Sequence, residues 1–135
     1  MIWGTLDHER VLDKKLRIAL FHHLVSVSQE MKLFVGKLSI QPEHVHILFT
    51  LPVNLNIAQV AKGLKGESSR WINENDMTDG KFRWKQGYSA YSVSASQLTS
   101  VKRYIENQDE HHRHKSFLEE YEEWARKYGI LKAGG

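Results

Sequence analysis

A chain of 135 residues with 41% hydrophobic content has room for one domain and enough apolar matter to bury a core. It contains no cysteine, which excludes disulfides, thiolate metal sites and a cysteine nucleophile, so any metal must be held by His, carboxylate or amide groups. The formal charge is only +3, no apolar run approaches the ~20 residues that cross a bilayer, and "MIWGTLDHER" lacks a basic region followed by a hydrophobic core, so the chain reads as cytoplasmic and not membrane-bound.

In chain order, "MIWGT" is strand-like. "DHERVLDKKLRIALFHHLVSVSQE" carries apolar residues at Val11, Leu12, Leu16, Ile18, Ala19, Leu20 and Leu24, the broad stripe of a core-facing helix. His22 and His23 fall within it about 100° apart, too divergent to share a ligand, and read as ordinary helix residues. "KLFVGKLSI" and "HVHILFTLP" read as the next two strands, with "QPE" as the turn between them and Pro52 ending the second. A second helix, "IAQVAKGLKGESSRWINEN", contains Gly63 and Gly66, each weakening it by roughly 1 kcal/mol relative to Ala, a spacing that implies close backbone approach.

"MTDGKFRWKQGYSAYSV" predicts a turn at Asp79-Gly80 and two short strands around Gly87. In "SVSASQLTSVKRYIENQDEHH", Ser94 and Gln97 have the spacing of a capping box, which opens a third helix running through Gln108. A last helix, "HKSFLEEYEEWARKYG", ends at Gly129. The order of elements predicts an α+β fold, a ferredoxin-like sandwich with a largely antiparallel sheet covered by helices on one face, in a single domain over residues 1–135.

Acidic residues gather in "EEYEEWARKYG", which leaves the middle of the chain more basic than the whole. Lys62, Lys65, Arg70, Lys81, Arg83, Lys85, Lys102 and Arg103 interleave there with Trp71, Phe82, Trp84, Tyr88 and Tyr91, a mixture that suits phosphates and stacked bases and also an ordinary solvated surface. Within the central strand, His44 and His46 stand at i and i+2, so both rings leave the same face and can close on one small object, a metal ion being the obvious one. The same spacing also fits two histidines on a solvated strand face. Tyr104 and Gln108, four apart on a helix, share a face in the same manner, although a tyrosine beside Val101 and Ile105 also suits a core.

Five blocks in this order resemble one family over nearly the whole chain: "MIWGT", "PEHVHILFTLP", "KGLKGESSRWIN", "FRWKQGYSAYSVSAS" and "YIENQDEHHRHKSFLEEY". The chain is similar to the small single-tyrosine HUH transposases of bacterial and archaeal insertion sequences, in which C-terminal helices carry the catalytic tyrosine. The resemblance implies Tyr104 as nucleophile, His44 and His46 as metal ligands and Gln108 as the third protein ligand, with Mg²⁺ or Mn²⁺ as the ion. It further implies a single-stranded DNA substrate with a hairpin beside the cut, and a homodimer in which the tyrosine helix of one subunit can complete the histidine pair of the other. Lys65, Arg70, Arg83 and Lys85 are candidate phosphate contacts. The chain departs from the family's usual pattern in starting inside the first strand and ending at "ILKAGG", and it adds His111, His112 and His114, which read as solvated helix-end histidines.

Two other readings compete. A histidine-triad nucleotide hydrolase needs a third histidine at the next alternate strand position, where this chain has Leu48. A non-catalytic or domesticated single-strand binder could stack bases on strand aromatics without a metal, but would not need His44, His46, Tyr104 and Gln108 together.

Overall fold

The computed structural model describes residues 1–107 and the backbone of residues 131–133. The chain runs β1 (Ile2–Gly4), α1 (Lys14–Glu30), β2 (Phe34–Gln41), β3 (His44–Thr50), α2 (Ile57–Glu74), β4 (Tyr88–Ala90), α3 (Leu98–Glu106) and β5 (Leu131–Ala133), with 3-10 turns at Leu6–His8 and Ala95–Gln97. All strand pairs are antiparallel, in the order β2-β3-β1-β4-β5. The first four strands have the interleaved βαββαβ order of a ferredoxin-like α+β sandwich, as the sequence predicts. β5 extends the sheet beyond β4, an addition that "LKA" is too short to signal by strand periodicity.

Helix boundaries follow caps rather than the apolar stripe. α1 begins at Lys14, later than the stripe implies, because the Asp13 carboxylate accepts the Leu16 N–H at 2.8 Å. The preceding segment is instead stitched to the β2–β3 turn, with Thr5 N–H donating to the Glu43 carbonyl (2.8 Å) and Leu12 N–H to that of Pro42 (3.1 Å). Asn56 and Gln59 form a reciprocal capping box on α2. The box expected at Ser94 does not form. The Ser94 hydroxyl lies 3.1 Å from that of Ser96, a 3-10 turn intervenes, and α3 opens at Leu98. α3 ends at Glu106 with Asn107 as C-cap, so Gln108, His111, His112, His114 and the expected last helix lie outside the described residues.

Of the two strands expected around Gly87, one exists. β4 follows Gly87, whereas Trp84 makes only a single bridge to Thr5. The Lys65 ammonium donates to the carbonyls of Lys85 (3.0 Å) and Gly87 (2.8 Å), so these two acceptors are taken by a side chain and not by a neighbouring strand.

Alternation along β1 and β3 divides the interior into two faces. Met1, Trp3, Val45 and Ile47 are buried with Leu16, Leu20 and Leu24 of α1 and Val60, Leu64 and Ile72 of α2. Trp84 closes this layer, edge-on to Trp3 at 5.9 Å, with its indole N–H on the Ser68 hydroxyl at 2.9 Å. The His23 ring stacks on Trp71 at 4.3 Å and joins α1 to α2. A Cβ at Gly63 would come within 2.7 Å of the Met31 side chain, so the close approach there is to a side chain; at Gly66 a Cβ meets nothing within 4 Å, and the approach expected there is absent. On the other face Ile2 is buried with Val101, Tyr104 and Ile105 of α3, and Leu48 packs against them. His44 and His46 share the parity of Leu48 and therefore look toward α3, not toward α1 and α2.

Candidate active site

The histidine pair sits in the middle of the sheet. Its register partners are Gly4 and Ile2 on β1, and Gln41 and Ser39 on β2, so His44 has no side chain across from it on β1. The rings lie edge to face with centroids 4.7 Å apart. His44 is fully buried and His46 is 3% exposed, which sets aside a solvated strand face for the pair.

A carboxylate holds His44 from behind. Nδ1 of His44 lies 2.8 Å from Oε1 of Glu43, and Oε2 of Glu43 accepts from Nη1 of Arg10 at 3.0 Å. An ionised carboxylate can only accept, so Nδ1 is the donor in this contact, and in a neutral ring that arrangement leaves the lone pair on Nε2. In the sequence Glu43 reads as a turn residue and nothing more. The signal it offers is its place directly before a His-x-His, since a ligating imidazole commonly gives its second N–H to a carboxylate.

α3 supplies the other half. Tyr104 is 7% exposed and its ring centroid lies 6.1 Å from that of His46 in the same chain. Beside them runs a cleft of about 310 Å³, lined in part by His46, Leu48, Tyr91, Val93, Val101 and Ile105. Two same-face imidazoles suit a divalent ion, with His44 already oriented through its outer nitrogen. Among the described residues no group of three or more His, Asp or Glu side chains converges, so further protein donors would have to include an amide or residues outside that set; Gln108 follows the C-cap of α3 by one position.

The four candidate phosphate contacts separate. Lys65 is half-buried, tied to the 85–87 segment, and its pKa is lowered by burial. Arg70 is ion-paired to Glu67 one helical turn away. Arg83 and Lys85 are exposed, alternating with the buried Phe82 and Trp84. The Lys85 backbone N–H donates to the Gly4 carbonyl at 2.8 Å, and Gly4 is the register partner of His44, so this segment borders the histidine region.

Comparison with known proteins finds a family and a fold similar to those of this chain. Residues 1–108 match the family model described as "Transposase IS200 like". The ISDra2 transposase TnpA of Deinococcus radiodurans is 26% identical over 113 residues, covering 80% of this chain and 81% of that protein. A transposase crystal structure from the same organism superposes with a TM-score of 0.64 at 27% identity, covering 79% of this chain and 86% of that one. No helix among the described residues is long and apolar enough to cross a membrane.

Proposed function

Since the chain belongs to the IS200-like transposase family, we propose that it cleaves and rejoins single-stranded DNA at insertion-sequence ends through a 5′-phosphotyrosine on Tyr104, with a divalent ion, Mg²⁺ or Mn²⁺, held by His44, His46 and Gln108. The observation that carries this reading is the meeting of the Tyr104 ring and the His44–His46 pair on one sheet face, at 6.1 and 4.7 Å between centroids. A tyrosine set beside His46, itself paired with a second buried histidine, is a costly choice for a core that could have used Leu or Phe.

The Tyr104 oxygen, once deprotonated, forms a bond to phosphorus while the bond from phosphorus to the 3′ oxygen breaks. The departing strand takes a proton and leaves as a 3′-OH. Because the phosphodiester is exchanged for a phosphotyrosine ester, a second 3′-OH reverses the step without an external energy source. His44, His46 and Gln108 would hold an ion that would supply positive charge for the phosphate oxygens. As ligands, His44 and His46 would be uncharged donors and would leave that charge undiminished. Arg83 and Lys85 hold backbone phosphates on the approach to the site. The apolar cleft with Tyr91 suits an unstacked base, and a hairpin beside the cut would give the strand a fixed end.

The test is incubation with labelled single-stranded DNA from the flanks of its own gene, with Mg²⁺ or Mn²⁺. A covalent adduct that a chelator prevents supports the reaction; tight binding with no adduct assigns a non-catalytic single-strand binder. We take the working form to be a homodimer. Mixing a His44→Ala, His46→Ala protein with a Tyr104→Phe protein locates the nucleophile: recovered cleavage puts Tyr104 in the partner's site, and none keeps it in its own.

A further inference from the structure

Glu43 is the buried charged group that the proposed chemistry does not use. Its side chain is 4% exposed, and an ionised carboxylate is costly to bury unless donors reach both oxygens. Here they do: the His44 ring takes Oε1 and the Arg10 guanidinium takes Oε2. Arg10 arrives by an unusual route. The chain after β1 passes through Asp7 and His8, consecutive left-handed residues at φ 55° and 54°. The Thr5 hydroxyl then donates to the Glu9 carbonyl at 2.6 Å, which turns Arg10 back over the β2–β3 turn.

This loop does not depend on the Glu43 side chain alone for its place. The backbone bonds from Thr5 to the Glu43 carbonyl and from Leu12 to the Pro42 carbonyl attach it independently. The loop thus has attachments besides the carboxylate, which meets Arg10 of the loop through one oxygen and one nitrogen of His44 through the other.

We infer that Glu43, braced by Arg10, is a positioning residue that keeps the His44 proton on Nδ1 and so presents Nε2 for ligation. The inference rests on the reading of His44 as a metal ligand, and it adds the residue that selects the tautomer of that ligand. A glutamine cannot replace it. With one acceptor oxygen, Gln can serve only one of the two donors, and because the guanidinium cannot accept, the oxygen stays on Arg10 and the NH₂ turns toward Nδ1 of His44. When NH₂ faces Nδ1, the opposite tautomer is favoured and Nε2 carries the proton that ligation would have to displace.

The experiment uses the full chain with ¹⁵N-labelled histidine. Long-range ¹H–¹⁵N spectra of the metal-free protein, with His44 assigned by comparison with His44→Gln, read the tautomer directly. The parent is expected to show Nδ1 protonated and Nε2 unprotonated, and both Glu43→Gln and Glu43→Ala to shift the proton toward Nε2. Mn²⁺ titration followed by electron paramagnetic resonance is expected to show about 10–100-fold weaker binding in both variants, the usual range for loss of a carboxylate behind a ligating histidine. Arg10→Ala, at a guanidinium 62% exposed, should lose less. Backbone amide spectra unchanged outside residues 5–13 and 41–47 exclude unfolding as the cause, and Glu43→Gln serves where Glu43→Ala does not fold. An Nε2–H tautomer in the parent, or unchanged tautomer and Mn²⁺ affinity in folded variants, overturns the inference. A parent that binds no Mn²⁺ while its His44 tautomer still responds to Glu43 overturns the metal reading instead.

Discussion

Tyr104→Phe separates chemistry from packing because the ring and the hydroxyl do different things at this position. The ring is 7% exposed, buried with Ile2, Val101 and Ile105, and set against His46. Phenylalanine keeps that ring, so the stability cost is that of one hydroxyl, about 1 kcal/mol. For a domain of this length that is a fall in Tm of about 3–5 °C. Tyr104→Ala would also remove the ring from a nine-residue helix and cost about 3–5 kcal/mol, a large share of the roughly 5–15 kcal/mol that holds a domain together. The phenylalanine variant should therefore melt nearly as the parent does and bind single-stranded DNA with about the parent's affinity, yet form no covalent adduct. The assay is denaturing electrophoresis of end-labelled DNA after incubation with Mn²⁺, alongside thermal unfolding and a binding titration. Undiminished adduct in the variant would refute the assignment and move the nucleophile elsewhere, with Tyr91 in the adjoining cleft and Tyr88 next to be tested.

Further expectations can be checked on the same protein. His44→Ala and His46→Ala should each abolish chelator-sensitive cleavage and weaken Mn²⁺ binding measured by calorimetry, whereas cleavage by the parent that ignores a chelator would remove the ion from the mechanism. Replacing Arg83 or Lys85 by Ala should weaken single-stranded DNA binding and reduce the steepness of its salt dependence by about one for each phosphate no longer neutralised. Lys65→Met should instead speed amide exchange over residues 85–90 with a smaller loss of DNA affinity, since its ammonium is spent on the Lys85 and Gly87 carbonyls. His23 has its pKa lowered from 6.5, chiefly by burial, with Glu67 and Glu30 opposing and Arg70 assisting the shift. The unfolded chain thus binds that proton first, so the stability His23 contributes is complete above pH 6.5 and declines as pH falls through the folded-state pKa. His23→Phe keeps a ring on Trp71 and removes the titration, and its Tm should fall less than the parent's between about pH 7 and pH 5.

The sequence by itself carried the order of the main elements and the parity of the central strand. Period-2 and period-3.6 patterns depend only on which residues are apolar, and "HVHILFT" places both histidines on one face whatever the rest of the chain does. Tyr104 at a helix position beside Val101 and Ile105 was legible for the same reason. What the pattern could not carry was any choice made by a partner distant in the chain. Ser94 has the spacing of a cap and does not become one, while Asp13 and Asn56 do. Lys65 reads in sequence as a candidate phosphate contact, and only the fold brings two carbonyls from residues 85 and 87 to its ammonium.

Which side of the sheet α3 covers is likewise a tertiary decision. Of the four cross-strand partners on the histidine face, Gln41 and Ser39 are polar, Gly4 has no side chain and Ile2 alone is apolar, so local hydrophobicity is a weak signal of a second layer there. Only the docking of Val101, Tyr104 and Ile105 against Ile2 brings the tyrosine to the pair. Glu43 shows the difference most sharply: in sequence it is a turn residue after a proline, and its carboxylate finds Arg10 only because a left-handed bend more than thirty residues earlier folds back across the same turn. Periodicity reports burial one element at a time, whereas the orientation of a buried imidazole is set by donors and acceptors that the chain brings together from far apart.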